Sequence, residues 1–289
     1  MTYSLVARDE ETGELGVAVQ SRAFRTGAVC AWARAGVGAI ATQSFTDMRY
    51  GAHGLELLAQ GLPPKEALDR LLADDERPEF RQVAFLGAAG QTSAHTGDAC
   101  VPAAGHIDEA NVSVQGNMLA STDVWPAMLE GFRSAHGSLA DRLLGAFDAA
   151  EAAGGDFRGR QAGAVLVVSA ERADAQPWDG RVVDVRVDDS DDPIAELRRL
   201  VRLSEAHRRI GRPPPGASPD EEMAAVRAAG LREDEVTVTG AAAAAAAGDL
   251  ERATALLRSL VDANGRWLDA FERYERLGLL PPGTAARLT

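Results

Sequence analysis

Two apolar runs at the head of the chain, residues 2–7 and 15–22, flank the acidic turn Asp9-Glu10-Glu11-Thr12-Gly13. β-branched and apolar residues on both sides of a glycine-containing turn are the pattern of two antiparallel strands, so the chain starts as sheet and its later segments must cover that sheet. Residues 28–34 and 37–43 read as a second hairpin across Ala35-Gly36. The period then changes to helical over 50–61, closed by Gly61, and over 64–72. Residues 82–86 and 92–96 predict another strand pair around Ala88-Ala89-Gly90, and 111–114 a further strand. Amphipathic helices come next over 122–135 and 138–152, the second with Ser138 and Asp141 placed as an N-terminal cap. Strands over 163–169 and 181–187 and a helix over 193–203 close the pattern. Hairpins, paired helices, hairpins and paired helices again predict an α+β fold, a four-layer αββα sandwich with two sheets face to face and helices outside.

Length and composition decide how much chain is left over. A chain of 289 residues accommodates one core of about 200 residues and a smaller unit. The segment Gly211-Arg212-Pro213-Pro214-Pro215-Gly216-Ala217-Ser218-Pro219 reads as a stiff linker. The expected domains are therefore 1–210, the linker 211–219, and a small helical unit over 220–289. That unit is too small to bury much alone, so it is expected to pack on the main domain or on a second subunit. The hydrophobic fraction is 46%, and no apolar run approaches the roughly 20 residues of a membrane-spanning helix. A formal charge of −13 argues against nonspecific binding to nucleic acid or an anionic membrane. Acidic residues at the start rather than a basic segment predict no secretory signal and a cytoplasmic location. Cys30 and Cys100, the two cysteines, stand in no metal or redox spacing and are expected to be reduced core thiols.

Thr2 directly follows Met1. Methionine aminopeptidases remove Met before a small side chain, and a free N-terminal threonine carries both a nucleophile and a base. Its hydroxyl can attack a carbonyl while its α-amine, with an ordinary pKa of about 7.7–8.0, takes the proton. The opening strand, turn and second strand ending in Gln20-Ser21-Arg22 resemble those of N-terminal-nucleophile (Ntn) hydrolases of the proteasome type, where a threonine-headed strand leads to an Asp-Ser-Arg-like tripeptide. Four stretches are more closely similar to domain of unknown function 1028, a family placed in the Ntn-hydrolase superfamily. They are Tyr3-Ser4-Leu5-Val6-Ala7-Arg8-Asp9 with residues 13–22, residues 33–39 running to Thr42-Gln43, Val114-Gln115-Gly116-Asn117, and Gly154-Gly155-Asp156 with Arg158-Gly159-Arg160-Gln161. The resemblance implies the Ntn-type αββα fold. It also implies a threonine-dependent amidohydrolase acting on a small amide, and homo-oligomeric assembly. Residues beyond 220 loosely resemble a peptidoglycan-binding domain.

Proteasome-like sites use a strand lysine near the nucleophile, but Lys65 is the only lysine and stands at a helix start after Pro63-Pro64. Support for the amine is therefore expected from Arg22 or Arg34. Gln20 replaces the acid of the Asp-Ser-Arg-like tripeptide, which leaves orientation of the amine to neutral hydrogen bonds or to Asp156. Gly116 and Asn117, where a strand runs out, either donate to a developing oxyanion or form a Gly-Asn turn. Gln20, Ser21, Gln43 and Ser44 are candidates to line the substrate pocket, although Ser44 reads more readily as a helix N-cap or loop residue. Asp156, Arg158, Arg160 and Gln161 precede a buried strand. They either orient the amine and grip a substrate carboxylate through Arg160, or clamp loop to sheet.

Other chemistries lack their parts. There is no Gly-x-Ser-x-Gly elbow, His-Glu-x-x-His helix, Walker loop or paired-cysteine spacing, and Gly36-Val37-Gly38 lacks the rest of a dinucleotide fingerprint. The five histidines form no i, i+4 pair, although His106 beside Asp108 reads as either a general base or a loop residue. Asp188-Asp189-Ser190-Asp191-Asp192 precedes Pro193 and a helix, where acidic side chains favour the N-terminal dipole. The sequence thus predicts no metal and no cofactor. The alternative to an amidohydrolase is a catalytically silent binding or scaffold protein on the same fold, which tolerates Met1.

Overall fold

The computed structural model describes residues 2–172, 180–210 and 213–288. Met1, whose removal the expected nucleophile would require, and Gly211 and Arg212 of the expected linker lie outside the described residues. The chain divides into two compact units, Met1–Val201 and Arg202–Thr289.

The first unit contains two antiparallel sheets. The six-stranded sheet joins β1 (Thr2–Arg8), β2 (Leu15–Ser21), β7 (Gly105–Glu109), β8 (Val112–Asn117), β9 (Ala162–Val168) and β10 (Arg181–Val187) in the order β10-β9-β2-β1-β8-β7. The four-stranded sheet runs β3 (Ala31–Arg34), β4 (Gly38–Ser44), β5 (Arg81–Gly87) and β6 (Thr92–Thr96) in sequence order. β1 and β2 lie centrally and are covered on both faces, which is why they read as nearly unbroken apolar runs.

Alternation along each strand assigns its two faces. From β1, Tyr3, Leu5 and Ala7 pack with Met128, Phe132, Leu143 and Phe147 of α4 (Val124–Ser134) and α5 (Leu139–Ala152). The Tyr3 ring meets Phe147 edge-on at 5.3 Å. Burial and the neighbouring Glu151 carboxylate, which accepts the hydroxyl at 2.6 Å, push the Tyr3 phenol well above its ordinary pKa. On the opposite face Val6 packs with Leu15, Val17, Ala39, Ala41, Ala84 and Leu86, an apolar layer between the two sheets. The outer face of the smaller sheet, through Ile40, Val83 and Phe85, is covered by α2 (Arg49–Ala59) and α3 (Pro64–Ala73).

Several element boundaries differ from the sequence reading. Residues 28–34 do not form one strand: Thr26–Cys30 is a short helix, α1, ahead of β3. Gly27 lets that helix approach β9, since a Cβ there would lie 2.5 Å from that of Ala164. β7 has no apolar alternation because it is a half-exposed edge strand paired only with β8. The predicted cap of α5 is present as a reciprocal Ser138–Asp141 capping box.

α6 (Pro193–Arg209) crosses the division between the units. The second unit continues with α7 (Pro219–Ala228), α8 (Glu233–Ala246), α9 (Leu250–Ala263) and α10 (Arg266–Arg276). α8 begins eight residues before the alanine run that signals it. Its first turns carry β-branched Val236, Thr237, Val238 and Thr239, which disfavour helix in isolation, yet Val236 is fully buried against Val226 and Leu231. No helix among the described residues is long and apolar enough to cross a membrane.

Candidate functional site

β1 begins, and β2, β4 and β8 finish, at one end of the two sheets. Antiparallel register sets Thr2 opposite Ser21 on one side and Asn117 on the other. The same alternation that sends Val6 into the apolar layer sends Thr2 and Ser4 into the space between the sheets. From β8 it sends Ser113, Gln115 and Asn117 there, from β4 Gln43, and from β5 Gln82. This end of the layer is therefore polar.

Most of these buried groups satisfy one another, although among the described residues Ser113 Oγ and Gln115 Oε1 meet no hydrogen-bond partner. Thr2 Oγ1 donates to Ser21 Oγ at 3.0 Å, and the backbone oxygen of Thr2 accepts from Gln43 Nε2 at 3.0 Å. Ser4 Oγ donates to Gln43 Oε1 at 2.6 Å and accepts from Gln115 Nε2 at 3.1 Å. Gln82, fully buried, is the hub. Its Oε1 accepts from Gln43 Nε2 (2.7 Å) and Asn117 Nδ2 (2.9 Å), while its Nε2 donates to Gly116 O (2.8 Å) and Thr96 Oγ1 (3.0 Å). Thr96 Oγ1 in turn meets His106 Nδ1 at 2.8 Å. Burial holds the half-buried His106 below its ordinary pKa, with Asp108 opposing and His95 adding to the shift. The Thr96 hydroxyl, which accepts from Gln82, and the imidazole share this bond, the donor being set by the ring's tautomer.

Of the sequence-predicted residues, Thr2, Ser21, Gln43, Gly116 and Asn117 are brought together directly. Arg22, Asp156 and Gln161 form a bracket behind Ser21. The Arg22 backbone N–H donates to Asp156 Oδ2 at 3.1 Å, its Nη1 reaches Gln161 Oε1 at 2.7 Å, and the Gln161 N–H donates to Ser21 O at 3.2 Å. Asp156 also accepts from Arg158 N at 2.8 Å and pairs with its guanidinium at 3.2 Å. Gln20 and Arg160 stand apart. Gln20 lies opposite Tyr3 on the helix-facing side of the sheet, fully buried, and among the described residues neither of its amide atoms meets a hydrogen-bond partner. Arg160 pairs with Glu151 (3.4 Å) and Asp192 (3.3 Å). Ser44 ends β4 in the left-handed region at φ 68°. Arg34 pairs with Gly38, at the opposite end of its strand pair, and Lys65 forms an exposed helix-surface pair with Asp69.

Backbone strain and exposed aromatics collect at the same end. Arg25, Ser44 and Met118 have φ values of 61°, 68° and 53°, each at or just past the end of β2, β4 or β8, where non-glycine residues rarely adopt such angles. Phe24, Phe45 and Phe157 on the adjoining connections are 62%, 58% and 60% exposed, so the polar cluster is rimmed by apolar surface.

Ser4, Gln82, Gln115 and Thr96 are candidate site residues that motif reading passes over, while His106, read beside Asp108 as a general base or a loop residue, is joined to them through Thr96. Gln82 and Gln43 carry a signal in strand parity: each continues a buried face otherwise occupied by Ala84 and Leu86 or by Ala39 and Ala41. A glutamine on such a face needs partners there.

The chain belongs to a family of unknown function, DUF1028, whose model matches residues 2–197. It is similar to the crystal structure of protein SPO2555 from Silicibacter pomeroyi, of the same family, at 30% identity and a TM-score of 0.61. That similarity covers 69% of this chain and 87% of that one. Among curated proteins, none matches.

Proposed function

We propose that this protein is an N-terminal-nucleophile amidohydrolase that cleaves a small amide, with Thr2 as nucleophile once Met1 is removed. In this reading the facing sheets and their outer helices form the four-layer αββα sandwich of such enzymes. The observation that carries it is the placement of Thr2: it heads a central strand, between Ser21 and Asn117, with its hydroxyl 3.0 Å from Ser21 Oγ. The Thr2 hydroxyl adds to the amide carbonyl as its proton passes to the free α-amine. Asn117 has one amide hydrogen committed to Gln82 and offers the other to the developing oxyanion. Collapse breaks the C–N bond, the ammonium returns the proton to the departing amine, and water hydrolyses the threonyl ester to release the carboxylic acid. Gln43 and Gln82 position the strand head, and the bracket of Arg22, Asp156 and Gln161 holds Ser21 in place.

A second reading is favoured by the burial of Thr2, which is only 6% exposed, and by the mutual satisfaction of Gln43, Gln82 and Asn117. Such a cluster also suits a catalytically silent binding protein. Intact mass of the untagged protein, followed by a β-lactone and peptide mapping, separates the two. Loss of Met1 with an adduct at Thr2 that is absent from Thr2→Ala supports the hydrolase. Retained Met1, or an unlabelled Thr2 in a protein lacking Met1, favours the binding protein.

A further inference from the structure

The second unit contains a cavity of about 420 Å³ bounded by α8, α9, α10 and the closing turn Ala285–Arg287. Its floor is formed by Ala241, Ala253, Leu257 and Phe271. Close-packed interiors leave few voids larger than a water, whereas small-molecule sites occupy about 300–1,000 Å³ and are mostly apolar with few polar groups. The space arises because alanine side chains end at Cβ while Leu257 and Phe271 span the helices around them. Its rim keeps large apolar side chains in solvent: Leu250 is 55% and Leu279 68% exposed.

Charge narrows the occupant. Arg287 is the one charged side chain among the described lining residues, none of which carries a carboxylate. Its Nε donates to Gly283 O at 3.1 Å and its Nη2 to Pro282 O at 3.5 Å, so among the described residues Nη1 keeps its N–H groups without a protein acceptor. The nearby Glu275 carboxylate accepts from the backbone N–H groups of Ala285 (3.0 Å) and Gly283 (2.5 Å), which, with a smaller contribution from the Arg287 charge, hold it below the usual carboxylate range. The hydroxyls of Thr254 and Thr284 are spent on the carbonyls of Leu250 and Pro281. An apolar cleft with a single cationic donor at its mouth suits a ligand with one anionic end and a flexible aliphatic body.

We propose that this cavity binds an unbranched aliphatic carboxylate, its chain against Ala241, Ala253, Leu257 and Phe271 and its carboxylate on Arg287. The site lies outside the residues matched by the family and does not depend on the chemistry of Thr2.

The test is calorimetric titration of the full chain with hexanoate, octanoate and decanoate below their micellar concentrations, with 1-octanol as the uncharged control. Expected is saturable one-to-one binding that tightens about fourfold per methylene, equivalent to about 0.8 kcal/mol, until the space is filled. Octanol binds about tenfold more weakly than octanoate. Arg287→Met removes that preference, and Ala245→Trp, at an exposed lining position, blocks the mouth. Unchanged far-UV circular dichroism shows that each variant is folded, and Ala242→Leu provides a second, milder obstruction. Absence of saturable decanoate binding overturns the proposal, as does octanoate binding unaffected by Arg287→Met and by both obstructions. A dimer that Leu279→Asp dissolves, in protein that binds no carboxylate, overturns it in favour of a second copy covering the groove.

Discussion

The layer between the two sheets has two unlike ends built on the same strands. At one, Val6, Leu15, Val17, Ala84 and Leu86 exclude water. At the other, two or three steps along the same alternation, Thr2, Ser4, Gln43, Gln82, Gln115 and Asn117 are equally buried and bind one another. The first end stabilises by removing apolar area from water, at about 25 cal/mol per Å². The second gains only about 0.5–1.5 kcal/mol net per hydrogen bond, and each member left unpaired costs about 1–3 kcal/mol. Apolar residues at those positions would satisfy the fold. What the polar end adds is directional: it fixes carboxamides and a strand head in one orientation.

Substitutions at each end sharpen that contrast. Gln82→Leu is expected to cost the most, about 4 kcal/mol in urea unfolding, because Gln43, Asn117 and Gly116 O lose their partner together. It is also expected to reduce β-lactone labelling of Thr2, and a cost below about 1 kcal/mol would break the comparison. Leu86→Ala at the dry end is expected to cost about 3 kcal/mol, within the 2–5 kcal/mol range for buried leucine, and to leave the labelling rate unchanged. Loss of labelling in that folded variant would mean the two ends act as one. Ser4→Ala, which removes one member of the chain linking Gln43 to Gln115, is expected to cost about 1 kcal/mol.

The smallest expected effect is a slope with pH. His106 is held below its ordinary pKa in the folded protein, so the unfolded chain takes up the proton first as pH falls. Its neutral form therefore contributes stability above the unfolded value near 6.5, and that contribution is lost as pH drops towards the folded value. His106→Asn is expected to flatten this part of the stability profile. If the profile is unchanged, the ring is not the group that titrates.

The hairpins and the long amphipathic helices were legible because their periods are strong and their punctuation is explicit, as with Ser138 and Asp141 ahead of α5. β7 was not, because an edge strand answers to one neighbour and carries polar residues such as half-buried His106 and exposed Asp108. α1 was not, because its five residues are shaped by contact with β9 rather than by their own propensity. At the site, the head of β1 and the end of β8 were readable from Thr2 and Gly116-Asn117. The partners that join them were hidden: Gln82 is the second residue of a strand that otherwise looks like core, and its role appears only when four strands are aligned at one end. Gln20 shows the limit of motif reading, since neighbouring Ser21 and Gln20 face opposite sides of the sheet.

Strand order also sets a timetable during synthesis. β1 meets β2 within its own hairpin, but its other edge waits for β8, which ends at Asn117. At about 5–20 residues per second, the head of β1 keeps that edge open for on the order of ten seconds after it is made. In the hydrolase reading proposed above, an aminopeptidase that is to expose Thr2 has that interval in which to act. Once β8 docks, the residue to be uncovered is flanked on both sides, and trimming becomes a competition between ribosome-bound processing and closure of the sheet.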